Sequence, residues 1–145
     1  MERKLIATER ESALKLAASI ISEQSITRSP ENTRIGAAVL SSDDRIFAGA
    51  YIAGATSYTT VHAEAVAIIQ AVAAGVTSIV SIALYASQLD AAFELYPCGT
   101  CLQLLAEYAV GPDVNIYTRI AERSEWDCVR LGTLLPNPWK PQKRE

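Results

Sequence analysis

The 145-residue sequence lacks the features that mark several large classes of protein. It has no basic stripe, and its 13 Lys and Arg are outnumbered by 16 Asp and Glu, which gives a net charge of −3. A surface for the phosphate backbone of nucleic acid is therefore not expected. The apolar runs are too short for a signal-peptide core or a membrane span, and the longest is interrupted at Gln70. We expect a cytoplasmic protein that binds neither nucleic acid nor membranes.

Cysteine and histidine are also scarce, with three of the first and one of the second. An odd number of cysteines without a secretion signal argues against a disulfide scaffold and favours metal binding or catalysis. Half of the residues are apolar and a fifth are charged, which is typical of a globular protein. The length is enough for one domain with a real core, so we expect a single domain spanning 1–145.

The hydrophobic patterns predict an α/β fold. Gly75 is expected to close the second helix, and the run "SIVSIALYA" is typical of a strand buried on both faces. The order predicts a three-layer α/β/α fold, with helices on both faces of a mixed sheet of four to five strands. The predicted elements are a helix from Thr8, hairpin strands at 34–40 and 45–52, a helix at 61–74, a strand at 78–86, a helix at 99–109, a strand at 114–119, and a short helix in the tail.

The first helix has a start signal and an apolar pattern of its own. Thr8 followed by Glu11 is typical of a capping box. Apolar residues then recur at helical spacing and include Leu14, Leu16 and Ile20. This recurrence indicates a helix.

Two short motifs contain the candidate residues for metal binding and catalysis. The stretch "VHAEA" contains His62 and Glu64, and "PCGTC" contains Cys98 and Cys101. The two cysteines lie three apart on a first helical turn, so their side chains share one face. The helix N-terminus favours their thiolate form. Two thiolates and one neutral imidazole predict a Zn²⁺ site that keeps a fourth position for water, which is the catalytic pattern.

Glu64 is not expected to be the fourth metal ligand. Residues two apart on a regular helix point to nearly opposite sides. His62 and Glu64 can therefore serve one site only if His62 lies at the helix entry, before regular helical geometry begins. In that arrangement the Glu64 carboxylate faces the water and acts as a general acid and base.

Other interpretations of the cysteines remain open from the residues alone. The pair "CGTC" also fits a thioredoxin-like redox motif, although that would leave His62 and Glu64 unexplained. A non-catalytic zinc protein would need a fourth protein ligand, for which Cys128 is the remaining cysteine. We expect Cys128 to be a small buried residue instead. His62 taken alone also fits a satisfied structural histidine.

The motif H-x-E…P-C-x-x-C is the signature of zinc nucleobase deaminases. With "HAE" at 62–64 and "PCGTC" at 97–101, the chain resembles the cytidine deaminase family, and its ends and length resemble the blasticidin S deaminase branch. The resemblance implies one Zn²⁺ per chain held by His62, Cys98 and Cys101, with Glu64 as the catalytic acid and base. It also implies a small-molecule substrate and a homo-oligomer, a tetramer or a dimer.

The resemblance further implies substrate contacts. Backbone groups near Ala63 would hold the edge of the substrate ring, and the N–H of Cys98 would donate to the developing charge. Tyr51 and Ala53 occupy the positions where typical members hold the ribose with Asn and Glu, and Tyr96 directly precedes the "PC" turn. We expect Tyr51 and Tyr96 to contact the substrate. Tyr58 and Trp126 are further candidates for the pocket wall.

The differences from typical members at Tyr51 and Ala53 bear on the identity of the substrate. We expect a cytosine-type nucleoside or analogue, such as cytidine, deoxycytidine or a blasticidin-S-like compound, to lose its amino group as ammonia. The alternative is another amino-heterocycle, an aminopurine or an aminopyrimidine.

Overall fold

A computed structural model of the chain describes residues 6–27, 32–89 and 94–140. No helix among these residues is both long and apolar enough to cross a membrane. The described residues leave out parts of two predicted loops, at 28–31 and 90–93, and the basic end at 141–145. The elements are α1 Ala7–Ser22, β1 Arg34–Ser41, β2 Ile46–Ala50, α2 Ala63–Ala73, β3 Ile79–Gln88, α3 Gly99–Tyr108, β4 Asn115–Ile120, β5 Asp127–Arg130 and α4 Leu131–Leu134.

The five described strands form one mixed sheet in the order β2-β1-β3-β4-β5. β1 pairs antiparallel with both β2 and β3, β3 pairs parallel with β4, and β4 pairs antiparallel with β5. The parallel pair is joined through α3, because parallel strands need a crossover connection. The predicted hairpin and mixed sheet are confirmed.

Helices cover the sheet from both sides. Leu14 and Ala18 of α1 pack with Ala38, Leu40 and Ala83 on one face. The other face packs against α2 and α3, in a larger core that includes the buried side chains of β1, β3 and β4. Successive strand residues point to opposite faces, so the continuous apolar run of β3 suits its position between two helical layers. The predicted three-layer α/β/α fold is confirmed.

The start of α1 differs from the predicted capping box. The helix begins at Ala7, one residue before Thr8, and the carboxylate of Glu9 accepts a hydrogen bond of 3.3 Å from the N–H of Ile6. Glu9 is the third residue of the helix and therefore supplies the reaching-back half of a capping box. The pairing of Thr8 with Glu11 was wrong because the helix starts earlier.

The buried face of α1 includes only some of its apolar residues. Leu14, Ala18 and Ser22 are buried, whereas the side chains of Leu16 and Ile20 are 60% and 63% exposed. A residue advances by about 100° around a helix, so residues four apart share a face and a residue two positions on is nearly opposite. The apolar set of α1 was wide enough to define two faces, and packing on the sheet selected one.

Close backbone packing fixes the position of α2 over the sheet. A Cβ on Gly49 of β2 would lie 2.5 Å from the nitrogen of Ala67 and 2.8 Å from the carbonyl oxygen of Ala63. Glycine therefore permits the first turns of α2 to rest directly on β2. The Gln70 side chain adds a 2.6 Å hydrogen bond from Nε2 to the carbonyl oxygen of Ala48. The entry of α2 is thus held against the edge of the sheet.

Candidate active site

His62 and Cys98 each lie directly before a helix. Both have extended backbone, with ψ of 148° and 169°, and both are the N-cap residues of their helices, α2 and α3. Their carbonyl oxygens accept the first helical hydrogen bonds, from Val66 at 3.1 Å and Leu102 at 2.9 Å. The prediction that His62 sits at the helix entry is confirmed. Gly75, with φ of +90°, follows the end of α2 as predicted.

The fold brings the three predicted metal ligands together. Nδ1 of His62 lies 3.4 Å from Sγ of Cys98 and 3.6 Å from Sγ of Cys101, although the residues are 36 and 39 positions apart. The three donor atoms all lie within 4.8 Å of one another. Zinc–nitrogen and zinc–sulfur bonds of about 2.0 and 2.3 Å at a tetrahedral angle would separate the N and S atoms by about 3.5 Å. The donor set therefore fits Zn²⁺.

The electrostatics of the two sulfurs also favour a cation. Burial raises the pKa of the Cys101 thiol, and the neighbouring Glu64 and Cys98 raise it further. The thiolate form thus needs positive charge nearby. The N-terminal ends of α2 and α3 supply part of this charge through their dipoles. A divalent cation between the sulfurs would supply the rest.

Glu64 is the buried acid beside this group. Its side chain is 6% exposed, and its Oε2 accepts a long contact of 3.9 Å from Sγ of Cys101. Burial raises the pKa of the Glu64 carboxyl, while its backbone hydrogen bond and His62 oppose the increase. A carboxyl whose pKa is raised towards neutrality suits proton transfer. Glu64 is not one of the three clustered donors.

A cavity of about 270 Å³ opens over the metal donors. Three hydroxyl side chains contribute to its wall, and none of them was singled out as a site residue from the sequence. The signal for two of them was the hydroxyl-rich stretch that leads into His62. The lining residues are Ser57, Thr60, Val61, His62, Ala65, Cys98, Thr100 and Cys101.

The predicted aromatic contacts have different positions. The ring of Tyr51 lies beside the His62 ring, with a centroid separation of 6.4 Å. Tyr96 is 43% exposed and Tyr58 is 98% exposed. None of these three tyrosines is among the described residues that line the cavity. Tyr51 is thus a neighbour of the His62 ring, tilted by 36° to it.

The structure contradicts the predicted positions of Trp126 and Cys128. Trp126 packs with Tyr85, at a centroid separation of 5.8 Å, in the cluster on the α1 face of the sheet. It is not a wall of this cavity, which lies at the α2 and α3 face. Cys128 is exposed on β5 at the end of the sheet order, so its predicted burial was wrong. Successive strand residues point to opposite faces, and Val129 is the β5 residue that packs against the core, so Cys128 lies on the side that stays exposed.

A metal bound by three donors next to a buried acid, in a cavity open to solvent, is characteristic of a zinc-dependent hydrolase. The family of cytidine and deoxycytidylate deaminase zinc-binding regions matches residues 7–117. The chain belongs to this family and is a zinc-dependent deaminase. The match assigns "CGTC" to the zinc-binding region of a deaminase family rather than to a thioredoxin-like redox motif.

Solved structures share the fold. The cytidine deaminase from Burkholderia pseudomallei is 25% identical, with a TM-score of 0.76 over 88% of this chain and 98% of that one. The cytidine deaminase from Mycobacterium leprae is 26% identical, with a TM-score of 0.71 over 88% and 98%. The cytidine deaminase from Bacillus anthracis is 23% identical, with a TM-score of 0.66 over 89% of each chain, and this similarity concerns the fold alone.

Proposed function

We propose that the chain hydrolyses the amino group of a cytosine-type nucleoside or nucleoside analogue and releases ammonia. The observation that carries the proposal is the buried carboxyl of Glu64 in contact with Cys101, one of three clustered donors, His62, Cys98 and Cys101, that line an open cavity. His62, Cys98 and Cys101 would hold one Zn²⁺, and Glu64 would be the catalytic acid and base.

Zinc held there would lower the pKa of a water molecule towards about 7 and make it a nucleophile at neutral pH. Glu64 accepts a proton from the attacking water at its carboxylate. It delivers this proton to the ring nitrogen next to the reacting carbon. It then accepts the remaining proton of the added hydroxyl group and passes it to the amine, which leaves as ammonia as the C–N bond breaks and the carbonyl forms. A carboxyl with raised pKa can both accept and return a proton, which is what these consecutive steps require.

Backbone groups at the helix starts would orient the ring. Ala63 is the first residue of α2, and Cys98 is the N-cap of α3. The first N–H groups of a helix have no partner within the helix, so they are available to a substrate. We assign the ring edge to the backbone of Ala63. The N–H of Cys98 would donate a hydrogen bond where negative charge develops at the reacting centre.

The cavity favours an unphosphorylated substrate. No Lys or Arg is among the described residues that line it, and its polar wall consists of hydroxyl groups together with the metal donors. A phosphate placed against this wall would lose hydration without gaining a cationic side chain as a partner. This argument supports a nucleoside over the corresponding nucleotide.

Ammonia release from a substrate panel tests this assignment. We expect kcat/KM for cytidine, deoxycytidine or blasticidin S to exceed that for deoxycytidine 5′-monophosphate by at least about tenfold, equivalent to about 1.4 kcal/mol. The same panel should include aminopurines and other aminopyrimidines as controls. Preference for the monophosphate, or no ammonia from any cytosine compound, would contradict the proposal.

A second candidate is the deamination of another amino-heterocycle. Tyr51 stands beside His62, and the N–H of Ala53 is used in a 2.9 Å hydrogen bond to the carbonyl oxygen of Ile26. Neither side chain offers the carboxylate and amide with which typical family members hold a ribose. These positions support an analogue, including one of the blasticidin S type, and they also suit an aminopurine or aminopyrimidine. Tyr51 and Tyr96 remain proposed substrate contacts.

We further propose that the chain is one domain over 1–145 and acts in the cytoplasm as a homo-oligomer, a tetramer or a dimer. Large apolar side chains that remain at the surface of the described protomer support association. They include Leu16, Ile20, Ile69, Val110 and Trp139. Light scattering should give a mass of two or four chains; the mass of one chain at micromolar concentration would contradict association.

A further inference from the structure

The loop at 54–60 is fastened across its neck by one hydroxyl group. Oγ1 of Thr60 accepts a hydrogen bond of 3.1 Å from the N–H of Gly54 and donates one of 3.0 Å to the carbonyl oxygen of Thr56. The backbone N–H of Thr60 also donates to the carbonyl oxygen of Thr56, at 3.2 Å. Thr60 therefore ties the end of the loop to its beginning and its middle.

The rest of the loop is packed closely upon itself. The side chain of Thr59 accepts a hydrogen bond from the N–H of Thr56 at 3.2 Å. A Cβ on Gly54 would lie 2.6 Å from the carbonyl oxygen of Thr59, so glycine permits the two segments to touch. Hydroxyl side chains commonly bond to nearby backbone in this way and stabilise turns. The loop has one compact shape rather than an open one.

Both ends of the loop are attached to the framework of the site. Ile52 and Val61 exchange two backbone hydrogen bonds, of 3.0 and 2.9 Å, and Ala53 bonds to Ile26. Val61 directly precedes His62. These backbone bonds hold the base of the loop in place, so the shape of the part above it depends on the bonds within the loop. The Thr60 hydroxyl makes the bond that reaches back to Gly54.

That part forms one side of the substrate cavity. Ser57 and Thr60 both line the cavity, together with His62 and Thr100. Any change in the path of 54–60 would move this wall relative to the metal donors. The base of the loop and the helix entry at His62 would remain where the backbone bonds place them.

We propose that Thr60 is a positioning residue that sets the cavity wall for substrate binding. This inference rests on the proposed function, because it concerns the same cavity. Thr60 acts through the loop and does not carry a proton in the reaction. Its loss should therefore weaken substrate binding while zinc binding and the chemical step are retained.

Thr60→Val is the direct test, because it removes the hydroxyl and nearly preserves the shape. The Gly54 N–H loses its acceptor, and we expect KM to rise about five- to tenfold. The value of kcat should change by less than about twofold. Zinc should stay at one per chain. Thr60→Ser retains the hydroxyl and should restore KM. Thr77→Val makes the same change at an exposed position outside the loop and is the control.

Amide hydrogen exchange gives a readout that does not depend on catalysis. The Gly54 amide should exchange at least about tenfold faster in Thr60→Val and return to the wild-type rate in Thr60→Ser. An unchanged Gly54 rate, an unchanged KM, or a variant that loses zinc would each overturn the proposal.

A wrong proposed function would be seen in the wild-type protein, not in the Thr60 variants. Wild-type protein that releases no ammonia from the panel would contradict the deaminase substrate assignment. In that case, the Gly54 exchange rate and the calorimetric affinity of the zinc-loaded protein for cytidine still test the loop. A Thr60→Val variant that matches the wild type in either measurement would overturn the role of Thr60.

Discussion

Replacing Glu64 with glutamine is expected to lower kcat by about 10²- to 10⁴-fold, the range typical of a positioned acid and base. The amide retains nearly the size of the buried side chain but cannot accept and return a proton. Zinc should remain at one per chain, because Glu64 lies outside the group of three donors. Steady-state ammonia release and metal analysis on the same preparation measure both quantities.

The stability of this variant provides a check on the interpretation. Glu64 is desolvated in the folded chain, and glutamine carries no charge to desolvate. The free energy of unfolding should therefore be unchanged or higher, which separates lost catalysis from lost folding. Glu107→Gln, at an exposed position of α3, is the matched control and should retain turnover. Near-normal turnover in Glu64→Gln on the true substrate would show that the acid and base assignment is wrong.

Replacing Cys101 with alanine is expected to abolish zinc binding and, with it, activity. Residues that merely support a metal ligand cost about 10- to 100-fold in affinity when changed, so removal of one of three ligands should cost more. Cys101 is buried, and alanine leaves its place without a donor atom. Metal analysis after dialysis should give well under one zinc per chain, and added zinc at levels that saturate the wild type should not restore ammonia release.

The third cysteine provides a control for this experiment. Cys128 is exposed on β5 and is not part of the donor group. Cys128→Ala should therefore keep one zinc per chain and wild-type turnover. Full zinc occupancy in Cys101→Ala would contradict the ligand assignment. Zinc loss in Cys128→Ala would instead indicate that the fourth position is closed by a cysteine and would contradict an open catalytic site.

The two motifs can form one site because each lies directly before a helix. His62 and Cys98 have extended backbone, and regular helix begins with the next residue. This puts two helix starts, with their free N–H groups and positive dipole ends, around the sulfurs of Cys98 and Cys101. It also removes the geometric conflict between His62 and Glu64, since only one of them obeys helical spacing. Metal binding and proton transfer thus share a site without sharing a ligand.

The sequence by itself determined the local features of this protein. Cys98 and Cys101 share a helical face because three residues nearly complete one turn, and this follows from spacing alone. The apolar runs indicated four of the five described strands but not β5, and Gly75 indicated the end of α2. Patterns of this kind arise from backbone geometry within a few residues, so they are readable without knowledge of the fold.

Only the tertiary structure decided which distant groups meet and which side chains face solvent. It brought His62 to within 3.4 Å of a sulfur 36 positions away. It buried Glu64, exposed Leu16 and Cys128, and made Thr60 part of a cavity wall. Residue spacing carries no information on these outcomes, because burial depends on which layer of the fold packs against a given face. Short motifs thus indicated the chemistry of the site, and the packing between them determined the shape of the substrate cavity.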